Sequence, residues 1–261
     1  MNHSERPTQA WPIIGVLLAI GITTTMDLTG LAMFSALPLL PLLGLFWYLQ
    51  RFGRVEMGFV WGRPWHYGLA ILYPLVVLGL AVLIAFVSGA TDVSEIDWQK
   101  LGTNLLLMSL MGPIVLVLTE EGFFRGWLRA SLSRAGHRQA ATLVWSSLAF
   151  AAWHWTWAVL EDGLGLRGAQ IGVYLSNAAM MGAVWGMLRL ISGSVVVASV
   201  SHAVWNAIAY TLFGAGPITG ALGIDQKFVF GAEAGLIGLA LNVAFAVVLW
   251  KWWQGRSSEP R

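Results

Sequence analysis

The chain has 261 residues, of which 57% are hydrophobic and 11% charged. A soluble domain carries about 25% charged residues, so this chain lacks the charge to cover a water-facing surface and the bilayer is its expected solvent. A net charge of +2, with the basic residues spread between apolar runs, gives nucleic-acid binding no support, and the absence of cysteine removes disulfides, thiolate metal sites and cysteine nucleophiles.

The first residues, MNHSERPTQAW, lack a basic leader and a small-residue cleavage site, so the run from Trp11 reads as a first span and not as a cleaved signal. A hydrocarbon core of about 30 Å needs about 20 apolar residues per helix. Eight runs qualify, at approximately 11–27, 31–50, 67–89, 101–122, 140–160, 168–190, 193–213 and 229–252, and the fourth is expected to continue as helix to about residue 134. Connections are short and no linker or repeat is visible. The expectation is an all-α polytopic membrane protein, about eight transmembrane helices in one bundle, forming a single domain over residues 1–261.

Arg51, Arg54 and Arg63 follow the second run, and Arg125, Arg129, Arg134 and Arg138 the fourth. Arg189 ends the sixth, and Lys251, Arg256 and Arg261 close the eighth. All fall on one side if both termini are cytoplasmic, the side that basic loops favour. The acids of TDVSEIDWQK and EDGLGLR fall on the other. Such loops suit a bacterial inner membrane. Trp11, Trp61, Trp65, Trp98, Trp252 and Trp253 sit at run ends, where tryptophan anchors helices in the interface.

An ionisable side chain near the bilayer centre costs about 2.5–3.5 kcal/mol on insertion scales, which makes it a functional candidate by default. Within or beside the runs stand Asp27, Glu120, Glu121, His154, Asn177, His202, Asn206 and Glu233. Glu121 and Arg125 are four apart, as are His202 and Asn206, so each pair shares a helix face. Glutamate and histidine are common general bases, and a histidine and an asparagine on one face can donate to a developing oxyanion. Together they describe a hydrolase: Glu120 with His154 polarises a water, and His202 with Asn206 holds the tetrahedral intermediate. Glu121, paired with Arg125, is the structural acid of the two. Taken singly, each placement also reads as an interhelical hydrogen bond or an interfacial charge network.

Other features read as structure. Gly182 and Gly186 form a G-x-x-x-G stripe, the seam of a bundle or of a homodimer. Gly231 and Gly235 repeat the spacing around Glu233, which has no role in this reading. Asp27 caps or exits the first helix, and His3, His66 and His137 are solvated. Trp153, Trp157 and Trp205 wall a lipophilic groove or pack, and Asn177 bonds across helices near the site.

Read in order, EEGFFR (Glu120 to Arg125), FAAWH (Phe150 to His154) and HAVWN (His202 to Asn206) resemble the E-E-x-x-x-R, F-x-x-x-H and H-x-x-x-N/B motifs of the CAAX-protease and bacteriocin-processing (Abi) family. The resemblance covers about residues 105–210 and implies an intramembrane endopeptidase acting on a membrane-associated protein or lipidated peptide. It implies Glu120 as the catalytic glutamate, with Glu121 and Arg125 completing its motif. His154 then helps to activate water, and His202 and Asn206 serve the oxyanion. It implies no cofactor. Zinc on Glu120, His154 and His202, with water in the fourth place, is the alternative, although the chain has no H-E-x-x-H. Water has to reach Glu120, so a cavity open to the cytoplasm is expected. The competing functions are a non-catalytic membrane scaffold and a transporter with a Glu/His proton relay, the latter without visible inverted repeats. One geometric condition follows. His154 lies about 21 Å into its helix at 1.5 Å per residue, so Glu120 meets it only if the fourth helix continues past the glutamates.

Overall fold

A computed structural model describes residues 10–94, 96–160, 163–216 and 218–257. His3, Glu95, Glu161, Asp162 and Arg261 lie outside them, as does the side chain of Arg256. The helices are α1 (Ala10–Leu28), α2 (Leu39–Gln50), α3 (Pro64–Val87), α4 (Trp98–Leu118), α5 (Gln139–Trp153), α6 (Trp155–Val159), α7 (Ala169–Ser192), α8 (Val195–Ile208) and α9 (Leu236–Ser257). Beyond Leu118, α4 winds on through a π-helical segment, Gly122–Leu128, and a last α-turn, Arg129–Arg134, making one span of 37 residues. The continuation past the glutamates is therefore present.

Among the described residues seven helices are long and apolar enough to cross a membrane, one fewer than the eight runs. The difference is the fifth run. It breaks at His154 (φ −80°, ψ 1°) into α5, of 15 residues, and α6, of 5. The eighth run also starts later than its hydropathy indicates, at Leu236. Gly231 and Gly235 form no helical stripe there. They close a turn in which a Cβ at Gly235 would stand 2.3 Å from the Gly231 carbonyl oxygen. Between α8 and this turn lie a π-helical turn, Ala209–Phe213, and a small antiparallel hairpin, β1 (Gly214–Ala215) and β2 (Ile218–Thr219).

The bundle has two chemically distinct ends. At one, Arg134 bonds Gln50 and Glu56, Arg189 reaches the Glu56 carbonyl at 3.2 Å, Ser194 binds Val60, and Trp65 meets Trp252. The arginine-bearing loops therefore converge. At the other, the Asp92 amide bonds Leu222, and the hairpin meets the loop after α6 near Gly163. Trp127, Trp185, Trp205, Tyr73, Phe123, Phe124 and Phe150 are fully buried along the axis. The outer half of α4, with Leu106, Leu107, Leu110 and Met111 exposed, faces outward, as a lipid-contacting surface does. The glycine stripe of α7 belongs to the bundle itself. A Cβ at Gly186 would lie 2.4 Å from Leu143 Cδ1, and one at Gly182 would lie 3.3 Å from Ser147 Cα, both on α5.

Candidate active site

The two glutamates sit where α4 changes its winding. Thr119 leaves helical geometry (φ −118°, ψ −103°), its hydroxyl turns back to the Val115 carbonyl at 2.8 Å, and the π-segment begins three residues later. Such wide turns free backbone groups and redirect side chains, and they recur at functional sites. Here the junction sends adjacent carboxylates into different surroundings.

Glu121 is sealed, with 0% exposure. Its Oε1 lies 3.1 Å from Arg125 Nη1 and 3.0 Å from His202 Nδ1. The arginine contact is close without being aligned as a hydrogen bond, so the attraction is ionic. The guanidinium is further held over Phe150, at 4.1 Å, and beside Trp185, at 5.4 Å, where ring quadrupoles favour a cation. Arg125 is thus an interior residue and not one of the loop arginines, which corrects its place in the charge pattern. His202 stacks on Trp185 with ring centroids 3.7 Å apart. Asn206 follows it by one turn on α8 and is half-buried.

Glu120 is 14% exposed, and its Oε2 lies 3.9 Å from Nε2 of His154, which is 16% exposed. His154 Nδ1 is 2.9 Å from the Phe150 carbonyl oxygen. A carbonyl only accepts, so Nδ1 carries the proton and Nε2 of the neutral ring presents its lone pair toward Glu120. The histidine stands at the α5–α6 break, and α1 clamps both sides of that break. Trp153 Nε1 donates to Thr23 Oγ1 at 2.8 Å, the Thr23 hydroxyl donates to the Ser35 carbonyl at 3.1 Å, and the Thr156 hydroxyl donates to the Asp27 carboxylate. Asp27 is buried at 3% exposure, so it is an internal partner and not a helix exit.

Glu233 also reaches this region. Its Oε1 accepts from Trp205 Nε1 at 3.0 Å, and its loop is fixed by Asn177, whose Nδ2 donates to the carbonyls of Ala232 and Glu233. Asn242 donates to Asn177 Oδ1 at 2.8 Å and accepts from the Tyr73 hydroxyl. The sequence reading passes over Asn242 and leaves Glu233 without a role. The available signal was an amide inside the apolar run LALNVAF.

Two further expectations change. Of the two readings offered for the tryptophans, Trp153 and Trp205 take the packing one, buried and hydrogen-bonded. His66 is buried and caps α3 by accepting the Arg63 amide at 3.0 Å. Among the described residues no three His, Cys, Asp or Glu side chains are grouped to hold a metal ion.

No curated protein and no solved structure matches the chain. Residues 102–208, which carry Glu120, Glu121, Arg125, His154, His202 and Asn206, match the family model described as type II CAAX prenyl endopeptidase Rce1-like.

Proposed function

We propose that this integral membrane protein is an intramembrane endopeptidase that hydrolyses a peptide bond of a membrane-associated protein or lipidated peptide. The observation that carries the reading is the Glu120–His154 pair: two acceptors 3.9 Å apart, each partly exposed, beside a sealed Glu121–Arg125–His202 cluster. The gap is too long for a direct hydrogen bond. A water beside it donates one hydrogen to the Glu120 carboxylate and one to His154 Nε2, which leaves its lone pair free for attack. Glu120 takes a proton as the water oxygen bonds to the carbonyl carbon, and returns it to the departing amine as the C–N bond breaks. His202 and Asn206, on one face of α8, are assigned to the oxyanion. Glu121 and Arg125 fix the position of His202 and hold the helix.

We assign a glutamic mechanism without a cofactor, on the pairing of Glu120 with His154, with zinc on Glu120, His154 and His202 as the alternative. The family description, a prenyl endopeptidase, supports a membrane-associated, lipidated substrate. Both termini are assigned to the cytoplasm, with the membrane being a bacterial inner membrane.

The test compares new protein termini in cells expressing the wild type or Glu120→Ala at matched levels, together with cleavage of a lipidated, fluorescence-quenched peptide by purified protein. Loss of the general base is expected to lower kcat by about 10²–10⁴-fold. EDTA is expected to leave the wild-type rate unchanged. Identical termini in the two strains, with a phenotype that needs the protein, would move the scaffold reading ahead.

A further inference from the structure

A buried guanidinium is costly unless an anion answers it. Arg125 meets Glu121, and Arg134 meets Glu56. Arg189 meets no carboxylate among the described residues. It stands in the last turn of α7 with 4% exposure, and its Nη2 donates to the Glu56 carbonyl oxygen at 3.2 Å. Its Nε is buried without a partner. The Glu56 carboxylate is committed elsewhere, since both of its oxygens accept from Arg134 Nη2, at 2.9 and 2.8 Å.

A second guanidinium lies beside it. Arg129 begins the last turn of the α4 continuation and is half-buried, and it makes no hydrogen bond or ion pair among the described residues. It is in electrostatic reach of Arg189. Both arginines belong to elements packed on one short helical turn, Arg54–Met57, and the glycine that ends it. A Cβ at Gly58 would stand 2.2 Å from Arg189 Nε, so a side chain there would displace the guanidinium. A Cβ at Gly126, three residues before Arg129, would stand 3.3 Å from the Met57 carbonyl oxygen. The start of α8 closes the group. The Val195 amide donates to the Gly58 carbonyl at 2.9 Å, and the Ser194 hydroxyl donates to the Val60 carbonyl. The positive end of a 14-residue helix therefore meets the same turn.

Two guanidinium groups and a helix N-terminus, with the nearby carboxylate already paired, favour an anion. The planar fork of arginine matches phosphate oxygens in particular. The surroundings indicate where that phosphate comes from. Val55 and Trp61, on either side of Gly58, are 76% and 81% exposed, and Trp65 meets Trp252 at the same end of the bundle. Exposed tryptophans at span ends mark the headgroup layer, and basic pockets between spanning helices bind headgroup phosphates.

We propose that Arg129 and Arg189 bind the phosphate of an anionic phospholipid headgroup, between the last turns of the α4 continuation and α7 and the turn at 54–58. The bound phosphate ties together the ends of these two spans, and it does so one turn beyond Arg125, which pairs with Glu121. The site is separate from the hydrolase reading and does not depend on it.

The test uses full-length protein in a neutral detergent, with bound lipid followed by native mass spectrometry. Dioleoyl phosphatidylglycerol is titrated beside monogalactosyl diacylglycerol, which has acyl chains and no phosphate. The wild type is expected to hold the phosphatidylglycerol about tenfold or more tightly than the galactolipid, because charge-assisted bonds to the phosphate are made only with the former. Arg129→Gln and Arg189→Gln are each expected to weaken phosphatidylglycerol binding by about tenfold or more. Arg138→Gln removes an exposed arginine at the same end and is expected to change it by about threefold or less. Equal affinity of the wild type for the two lipids, or equal losses in Arg129→Gln and Arg138→Gln, would overturn the proposal. The wild-type comparison decides even if Arg189→Gln fails to fold. A last arm separates the sources of phosphate. Phosphatidylglycerol is expected to raise the unfolding midpoint of delipidated protein, and inorganic phosphate alone to leave it unmoved. An equal rise with inorganic phosphate would make a free anion the ligand and overturn the lipid assignment.

Discussion

Glu120 and Glu121 share a peptide bond and almost nothing else. One stands partly exposed beside His154; the other is sealed, its carboxylate meeting a guanidinium and an imidazole. Arg125 holds that enclosure, and its substitutions separate charge from shape. Arg125→Leu leaves Glu121 with His202 alone, and removing one partner of a buried pair costs about 3–5 kcal/mol. Arg125→Lys keeps the charge and loses the planar stacking over Phe150, which is worth about 0.5–2 kcal/mol. Thermal unfolding in detergent is therefore expected to rank wild type above Arg125→Lys and Arg125→Leu last; equal midpoints for the two variants would show that the ring contact carries the effect and the charge does not. At this scale the sequence is informative where a costly residue sits in a strongly apolar run. Glu120, Glu121, His154 and His202 stand out for that reason, and Glu121 with Arg125 is legible as an i,i+4 pair. The third partner of Glu121 is not legible. His202 is 81 residues away, and only the packing of α8 against α4 brings it within 3.0 Å.

At the scale of elements, Glu120, Glu121, His154 and Glu233 stand at helix defects or in a turn, while His202 and Asn206 lie within α8. The glutamates flank a π-segment, His154 occupies a break, and Glu233 sits in a turn ahead of α9. Hydropathy reads composition and is blind to the hydrogen-bond ladder, so all three defects lay inside runs that looked continuous. The break at His154 is held by α1, and this gives Asp27 and Thr23 an effect on chemistry they do not touch. Thr156→Val leaves a buried carboxylate without its donor, a loss of about 1–3 kcal/mol. It also frees the first turn of α6, so His154 is expected to lose its aim at Glu120. kcat should fall about tenfold with little change in KM, because a misplaced base weakens the transition state more than substrate binding. Asp27→Asn retains an oxygen acceptor for Thr156 and is expected to keep most of the rate. Peptide cleavage by the purified variants checks this, and equal losses in kcat for both substitutions would mean that the charge of Asp27 matters as well as its hydrogen bond.

For the whole molecule, the motif-bearing stretch 102–208 carries the candidate reacting groups, while α1, α3, α9 and the 231–235 turn brace them from outside it. The same division governs how the protein sits in the membrane. Arg125 and Arg189 are buried at 1% and 4% exposure, so neither belongs in a count of loop charges. Arg51, Arg54, Arg63, Arg134 and Arg138 remain at one end, although Arg134 is partly occupied by Glu56 and the Phe52 ring. Asp92, Asp97 and Asp225 stand at the other end, and the basic loops still favour the cytoplasm after the correction. The chain has no cysteine, so a single introduced thiol reports one position without background. His137 and Val93 are exposed, at the arginine end and the opposite end respectively. In intact spheroplasts a membrane-impermeant maleimide is expected to label Val93→Cys, and to label His137→Cys only after permeabilisation. The opposite pattern would turn the bundle over. Glu120 and His154 would then lie on a path from the outer leaflet, and the pool of substrates that reaches them would have to be sought among exported lipidated peptides, not among proteins anchored on the cytoplasmic face.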